Sequence, residues 1–410
     1  MKKTIPLSYG LTEVPLRFPA GTISLRHTEP ENITDRDGFS NRVEGYLNGL
    51  GERPGKVGII VSDKTRLCQY PLYLPLLTGT LEKNGIAPEN ITFFIAYGTH
   101  PVQTEEECLD SYGETYRNYR FVHHDSRDPQ SLVYLGTTAK GTEVKIHREI
   151  PEQEMLISFG AILHHYFAGF GGGRKLFFPG MAAYESILHN HELFLDYKNL
   201  TLTAGCESGN LDANPLALDL EEIAGMLPPH LEIHAILNSR KEVCELHFGQ
   251  TYLEFMEVCK RYNRFFRIGD EQQFQLVVAS AGGYPKDINF IQTHKSIHNA
   301  ASFVHDRGTL VILAECRDGV GNQKFMNLFR LGGWKTIFEK MANQYENNAG
   351  TALAMWQKSE RIRIRFVTSL DEETCRLMGA EKTEVEEIQP LIDAEPGKVA
   401  VIQNASLIYQ

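Results

Sequence analysis

The sequence predicts an α/β fold of two domains, each built on a mainly parallel sheet flanked by helices, with the functional site in the cleft between them. Three observations carry this expectation. Short apolar runs ending in Gly, Ser, Asp or Thr recur along the chain, and longer stretches with helical spacing lie between them. The 410 residues also exceed what one ordinary core serves.

The strand-like runs are Val57 to Val61, Ile91 to Tyr97, Met155 to Phe159, Leu231 to Leu237, Leu276 to Ala279, Leu310 to Ala314, Ile362 to Val367 and Val399 to Ile402. Tyr70 to Asn84 and Leu216 to Met226 have helical spacing, and a further helix is expected from about Asn289. Glu105-Glu106-Glu107 reads as a helix start, because acidic side chains complement the positive end of a helix. A polar stretch from Arg264 to Asp270 marks a boundary, giving domains at 1–268 and 269–404 with a tail, 405–410, expected to return to the first domain. No internal repeat or low-complexity segment interrupts the pattern.

Composition narrows the function classes. An apolar fraction of 42% and a charged fraction of 23% are those of a globular protein. A net charge of -11 argues against non-specific nucleic-acid binding and leaves a local positive pocket as the means of attracting an anion. The seven cysteines are widely spaced without a C-x-x-C pair, as expected of reduced thiols in the cytoplasm. The start Met-Lys-Lys-Thr-Ile-Pro-Leu lacks the apolar core of a signal peptide, and no run is long enough to span a membrane.

The segment with most chemistry is His165-Tyr-Phe-Ala-Gly-Phe-Gly-Gly-Gly-Arg-Lys175, followed by Pro179-Gly180 and His191. Three adjacent glycines let backbone N–H donors approach a bound group, and the lysine after them can meet a phosphate or be modified. The ATP-type loop fails here, since Arg174 precedes Lys175 and Leu176 follows it, leaving no magnesium-binding hydroxyl. The dinucleotide fingerprint starting at Gly169 and Gly171 ends on Arg174 instead of glycine. A loop that merely turns stays open on these residues alone. Asp63, His100 and the His165 loop each follow a predicted strand, which is where α/β sheets gather binding residues.

His165, Lys175 and His191, in this wording and spacing, resemble the nickel-dependent lactate racemase family. Ser62-Asp-Lys-Thr-Arg66, Gly98-Thr-His100, the Gly205 to Pro215 stretch with Asn210 and Asn214, Pro285-Lys-Asp287 leading to Gln292 and Lys295, and Glu315-Cys-Arg-Asp-Gly319 extend the resemblance over essentially the whole chain.

The resemblance implies inversion at a carbon carrying hydroxyl and carboxylate. A histidine takes the hydroxyl proton while hydride passes to a cofactor, because side chains are not electron acceptors. The implied cofactor is pyridinium-3,5-bisthiocarboxylic acid mononucleotide, covalently attached to Lys175 and holding nickel as a pincer. His191 is the implied protein ligand to nickel, and neutral imidazole suits that metal. His100 and His165 are the implied general acid/bases, one for each enantiomer. The neighbouring His164 and His189 are left outside the site.

Arg66 and Lys295 are the implied carboxylate anchors, and Gln292, one helical turn before Lys295, shares its face. Asp63 and Thr65 are expected to orient Arg66 or touch the cofactor. Phe167, Gly171, Gly172, Gly173 and Pro179 are expected to wall the pyridinium and receive its phosphate. The expected partners are a small-molecule 2-hydroxy acid and cofactor-making enzymes; nucleic acid and membrane are not expected, and a homo-oligomer stays open. Pro101 stands after His100 where the family often has a basic residue, which bears on the choice of hydroxy acid. Lactate and larger aldonic, dicarboxylic or aromatic hydroxy acids therefore stay open as substrates, as does a non-catalytic phosphate binder on the same scaffold.

Overall fold

The computed structural model describes residues 2–31, 36–228, 230–269, 272–321, 323–346 and 348–410. The chain divides into two compact units. The smaller contains Met1–Thr28, Phe194–Thr203 and Arg264–Gln410, and the larger contains Glu29–Leu193 and Ala204–Asn263. Each is built on a six-stranded sheet.

In chain order the sheet strands are β1 (Ile23–Leu25), β2 (Val57–Ser62), β3 (Ile91–Ala96), β4 (Arg120–His123), β5 (Met155–Ala161), β6 (His230–Leu237), β7 (Val243–Gly249), β8 (Phe274–Ser280), β9 (Val304–Leu313), β10 (Arg363–Val367), β11 (Glu381–Lys382) and β12 (Val399–Ile402). The larger unit's sheet runs β7-β6-β5-β2-β3-β4 and is parallel except at its β7 edge. The smaller unit's sheet runs β11-β10-β9-β8-β12-β1 and is parallel throughout.

In the larger unit every residue of β2 and β5 is buried, so these strands appear in the sequence as unbroken apolar runs. From β2 the chain builds outward to β3 and β4, then returns to lay β5 on the other side of β2. The carboxyl ends of β2 and β5 therefore flank a topological switch point, where a crevice forms because the following loops diverge. The pairing runs from Val57↔Ile91 to Ser62↔Ala96, so β2 and β3 deliver their loops level with each other.

Helix α1 (Tyr70–Lys83) buries Tyr70, Tyr73, Leu74, Leu77 and Leu81 along one stripe. Its Tyr70 hydroxyl donates to the Phe159 carbonyl at 2.6 Å and receives the Ser62 amide at 2.8 Å, tying β5 to the end of β2. Helix α2 (Glu105–Tyr112) begins on a reciprocal Thr104–Glu107 capping box. The other helices that matter are α3 (Arg174–Phe177), α4 (Tyr184–Glu192), α5 (Pro215–Ala224) and α6 (Phe290–Ala301). Helix α5 starts on Asn214, whose side chain caps it, with proline in its first turn.

The expected division at 268/269 leaves five of the six strands of the smaller unit's sheet on its C-terminal side, but β1 lies before it, and the compact units do not follow it. Residues 3–9 and 12–18 form a hairpin whose Leu7 and Phe18 pack with Val278, Val311 and Val401, and β1 pairs with β12. Burying that hairpin's alternate side chains places the first 28 residues with the C-terminal sheet. The tail 405–410 also stays with the smaller unit: Ala405 N–H donates to Ser280 O at 2.8 Å, and Tyr409 exchanges backbone bonds with Phe266 and Ile268. Asp270, at the end of the expected boundary, lies outside the described residues. Among the described residues no helix is long and apolar enough to cross a membrane.

Candidate active site

A pocket of about 730 Å³, including its open mouth, lies at the switch point of the larger unit. Asp63, Arg66, His100, His165, Lys175 and His191 all line it.

Asp63 follows β2 and caps a single 3-10 turn, accepting from the Thr65 amide at 2.9 Å and the Thr65 hydroxyl at 2.6 Å. Its second oxygen meets His100 Nδ1 at 2.5 Å. Burial alone would raise the Asp63 carboxyl, but the bond and charge of His100, the Thr65 hydroxyl and the Arg66 charge outweigh it and bring it down to about 2. A carboxylate on Nδ1 places the proton of the neutral His100 ring there and leaves Nε2 as the basic nitrogen. The His100 side chain is 40% exposed, enough for a bound molecule to reach it.

The glycine-rich stretch forms a small hairpin, Leu163–His165 against Gly169–Gly171, that turns into α3. Its conformation demands glycine at 172, where φ is +83° and a Cβ would run into the Ala161 carbonyl. Alternation along the hairpin separates the adjacent imidazoles. His164 Nε2 meets Asn263 Oδ1 at 2.7 Å and its ring lies edge-on to Tyr262, whereas His165 lines the pocket. His165 Nε2 is 3.5 Å from Lys175 Nζ. Its Nδ1 accepts the Ala168 amide at 3.2 Å.

Lys175 is 6% exposed, with its ammonium 5.6 Å from the centre of the Phe167 ring. Phe167 stands edge-on to both His165 and His191, at 4.5 and 5.2 Å between ring centres. On α4, the His191 Nε2 is shut off from solvent and makes no hydrogen bond among the described residues. Burial, with the neighbouring Lys175 charge adding to it, pushes that imidazole down to about 3. A neutral ring with a buried nitrogen that no protein group uses fits a metal ligand. His189 turns away, bonding Thr142 at 3.0 Å.

The pocket takes its wall from Gly172 and Pro179, but not from Thr65, Phe167, Gly171 or Gly173. Thr65 is spent on Asp63, Phe167 packs behind the imidazoles, and Gly171 pairs with Leu163. A Cβ on Gly173 would press on Glu232 and Phe255. Gln292 and Lys295 belong to the smaller unit, on α6, where Lys295 Nζ donates to Gln292 Oε1 at 2.8 Å. Residues not anticipated include Tyr97, which lines the pocket, and the pairing of Asp63 with His100 in place of Arg66.

Known proteins resemble this chain in sequence and fold. The sequence profile of the lactate racemase N-terminal domain matches residues 44–202, and that of the lactate racemase C-terminal domain matches residues 270–374. The chain is 29% identical over 316 residues to the lactate racemase of Thermoanaerobacterium thermosaccharolyticum, covering 77% of this chain and 72% of that protein. It is 30% identical over 281 residues to the lactate racemase of Lactiplantibacillus plantarum, covering 68% of this chain and 64% of that protein. The solved lactate racemase apoprotein from T. thermosaccharolyticum superposes with a TM-score of 0.86 at 24% identity over 99% of both chains. A Thermotoga maritima protein of known structure does so at 0.69 and 15% identity, covering 94% of this chain and 100% of that one, a likeness of fold.

The fold and the matched sequence define an enzyme of the isomerase class, a racemase with α/β architecture. The chain belongs to the lactate racemase family. Membership implies a nickel-pincer nucleotide as cofactor.

Proposed function

We propose that this protein racemises or epimerises a small 2-hydroxy acid, with the cofactor tethered to Lys175 and its nickel held by His191. The observation that supports this best is the convergence of Lys175, His191, His165 and the Asp63–His100 pair on one pocket. When bound, the cofactor supplies the hydride acceptor that side chains cannot.

The protein's own residues handle the proton and the substrate's charge. His100 takes or returns the hydroxyl proton of one enantiomer at Nε2, with Asp63 orienting the ring and stabilising its charged form. His165 does so for the other enantiomer. Arg66, which lines the pocket, grips the carboxylate through parallel hydrogen bonds. Roles for Gln292 and Lys295 at the substrate rest on the resemblance alone. Thr65 acts through Asp63, while Gly172 and Pro179 wall the cofactor.

The experiment is the denatured intact mass of the protein co-produced with cofactor-making enzymes, followed by chiral assay of 2-hydroxy acids. An adduct of nucleotide size that is lost in Lys175→Ala supports the reading. A bare polypeptide mass, with those enzymes shown to work, overturns the tethering.

A further inference from the structure

We propose that helix α5 sets the spacing between Lys175 and His191, with Asp219 and Glu221 as positioning residues for them; this rests on the roles of Lys175 and His191 given above.

Three polar links radiate from this one helix. At its start, Asn214 Oδ1 accepts the Leu216 and Ala217 amides at 3.1 and 3.2 Å, while Nδ2 donates to the Phe167 carbonyl at 2.8 Å. One turn on, Asp219 is 1% exposed and accepts from Thr138 Oγ1 at 2.5 Å, Thr142 Oγ1 at 2.8 Å and Asn190 Nδ2 at 2.8 Å. Asn190 directly precedes His191 on α4. Two residues further, Glu221 Oε2 pairs with Arg174 Nη2 at 2.6 Å. Arg174 directly precedes Lys175, and its buried guanidinium lies over Tyr252 and Phe255 at 4.2 and 4.8 Å from their ring centres.

Helix geometry turns these links into a device. Residues two apart on α5 point to nearly opposite sides, which lets Asp219 reach α4 while Glu221 reaches α3. Consecutive residues on α3 and α4 diverge by about 100°, so fixing Arg174 and Asn190 fixes the direction in which Lys175 and His191 project. Neither Asp219 nor Glu221 lines the pocket, so neither meets the substrate there. Cutting either link leaves a buried group behind, Asn190 in one case and the Arg174 guanidinium in the other. Second-layer partners of this kind orient a metal's ligands.

The test reads the two links separately. In apoprotein, Lys175 is probed with acetic anhydride and His191 with diethyl pyrocarbonate, each site quantified by peptide mass spectrometry. In co-produced protein, intact mass gives the adduct fraction and metal analysis gives nickel per adduct. Glu221→Gln is expected to change Lys175 labelling severalfold and lower the adduct fraction, with His191 labelling and nickel per adduct unchanged. Asp219→Asn is expected to change His191 labelling and weaken nickel binding by roughly 10- to 100-fold, with Lys175 labelling and adduct unchanged.

Should either variant fail to fold, the Arg174→Met/Glu221→Leu pair or Asn190→Ala cuts the same link without leaving an uncompensated acid. Wild-type behaviour in folded variants overturns the proposal. So does a parallel fall of all readouts in proportion to lost thermal stability, which a merely structural role would give. If the wild type carries no adduct, the tethering reading fails, and the two labelling readouts still decide whether α5 positions these side chains.

Discussion

Asp63 and His100 come from loops after adjacent strands and meet at 2.5 Å, carboxylate to Nδ1, at the edge of the pocket. The contact makes the orientation of the His100 ring a property of two strands' register, since β2 and β3 end level at Ser62 and Ala96. Asp63→Asn keeps the shape but removes the charge, and an amide facing Nδ1 favours the wrong tautomer. Turnover is expected to fall by about 10²-fold or more, with a smaller change in KM. Because Asp63 ionises near pH 2, any acid limb of the wild-type profile above pH 4 belongs to other groups. A kcat and KM determination with a pH profile of both proteins checks this; an unchanged kcat removes Asp63 from the mechanism.

Arg66 lines the pocket, and on the proposed reading it receives the substrate carboxylate. Arg66→Ala should raise KM by about 10- to 100-fold, the range of one lost charge-assisted hydrogen-bonding pair. Arg66→Lys should recover only part, because an ammonium lacks the planar fork. Equal KM values in wild type and Arg66→Ala would place the substrate carboxylate elsewhere.

His191→Ala is expected to abolish nickel retention while leaving the nucleotide adduct on Lys175, since the ring's buried Nε2 serves no hydrogen bond among the described residues. Metal analysis alongside intact mass measures both. Nickel retained at the wild-type level would point to a different ligand.

Stability should decline below neutral pH. His124 and His234 are both 1% exposed, and burial pushes each imidazole down to about 4. Their folded-state pKa lies below the unfolded value of about 6.5, so the unfolded chain takes up protons first. Their contribution is whole above that value and is lost as pH falls toward 4, by at most ~1.4 kcal/mol per pH unit for each group. Urea midpoints at pH 7.5 and pH 5 should differ accordingly, and His234→Phe should flatten the dependence. A pH-independent midpoint would mean that these rings take up protons while folded.

Much of the fold was legible because parallel strands buried on both faces appear as unbroken apolar runs; Val57–Ser62 and Val399–Ile402 are examples. The hairpin at residues 3–18 was not, since its strands mix polar and apolar residues and contain Pro6 and Pro15, which argue against a strand. Its pairing with a distant sheet leaves no local trace. In the site, the order of motifs gave Lys175, His165, His191 and His100, and the structure brings all four to one pocket. The choice of His165 over His164 is now a matter of hairpin alternation. Asp219, Glu221 and Asn190 were invisible in advance: each is an ordinary helical polar residue whose importance comes from a neighbour brought close by folding.

The pairing of β1 with β12 has a consequence for how the protein is made. Among the described residues β1 has no other sheet partner, and some 375 residues separate Ile23 from Ala400, which sits opposite it. At ribosomal rates of roughly 5–20 residues per second, that strand waits about 20–75 s for its neighbour. Every strand of the larger unit's sheet emerges during this interval. The order of synthesis therefore favours completing the pocket of the larger unit while the smaller unit's sheet still lacks the strand that β1 pairs with.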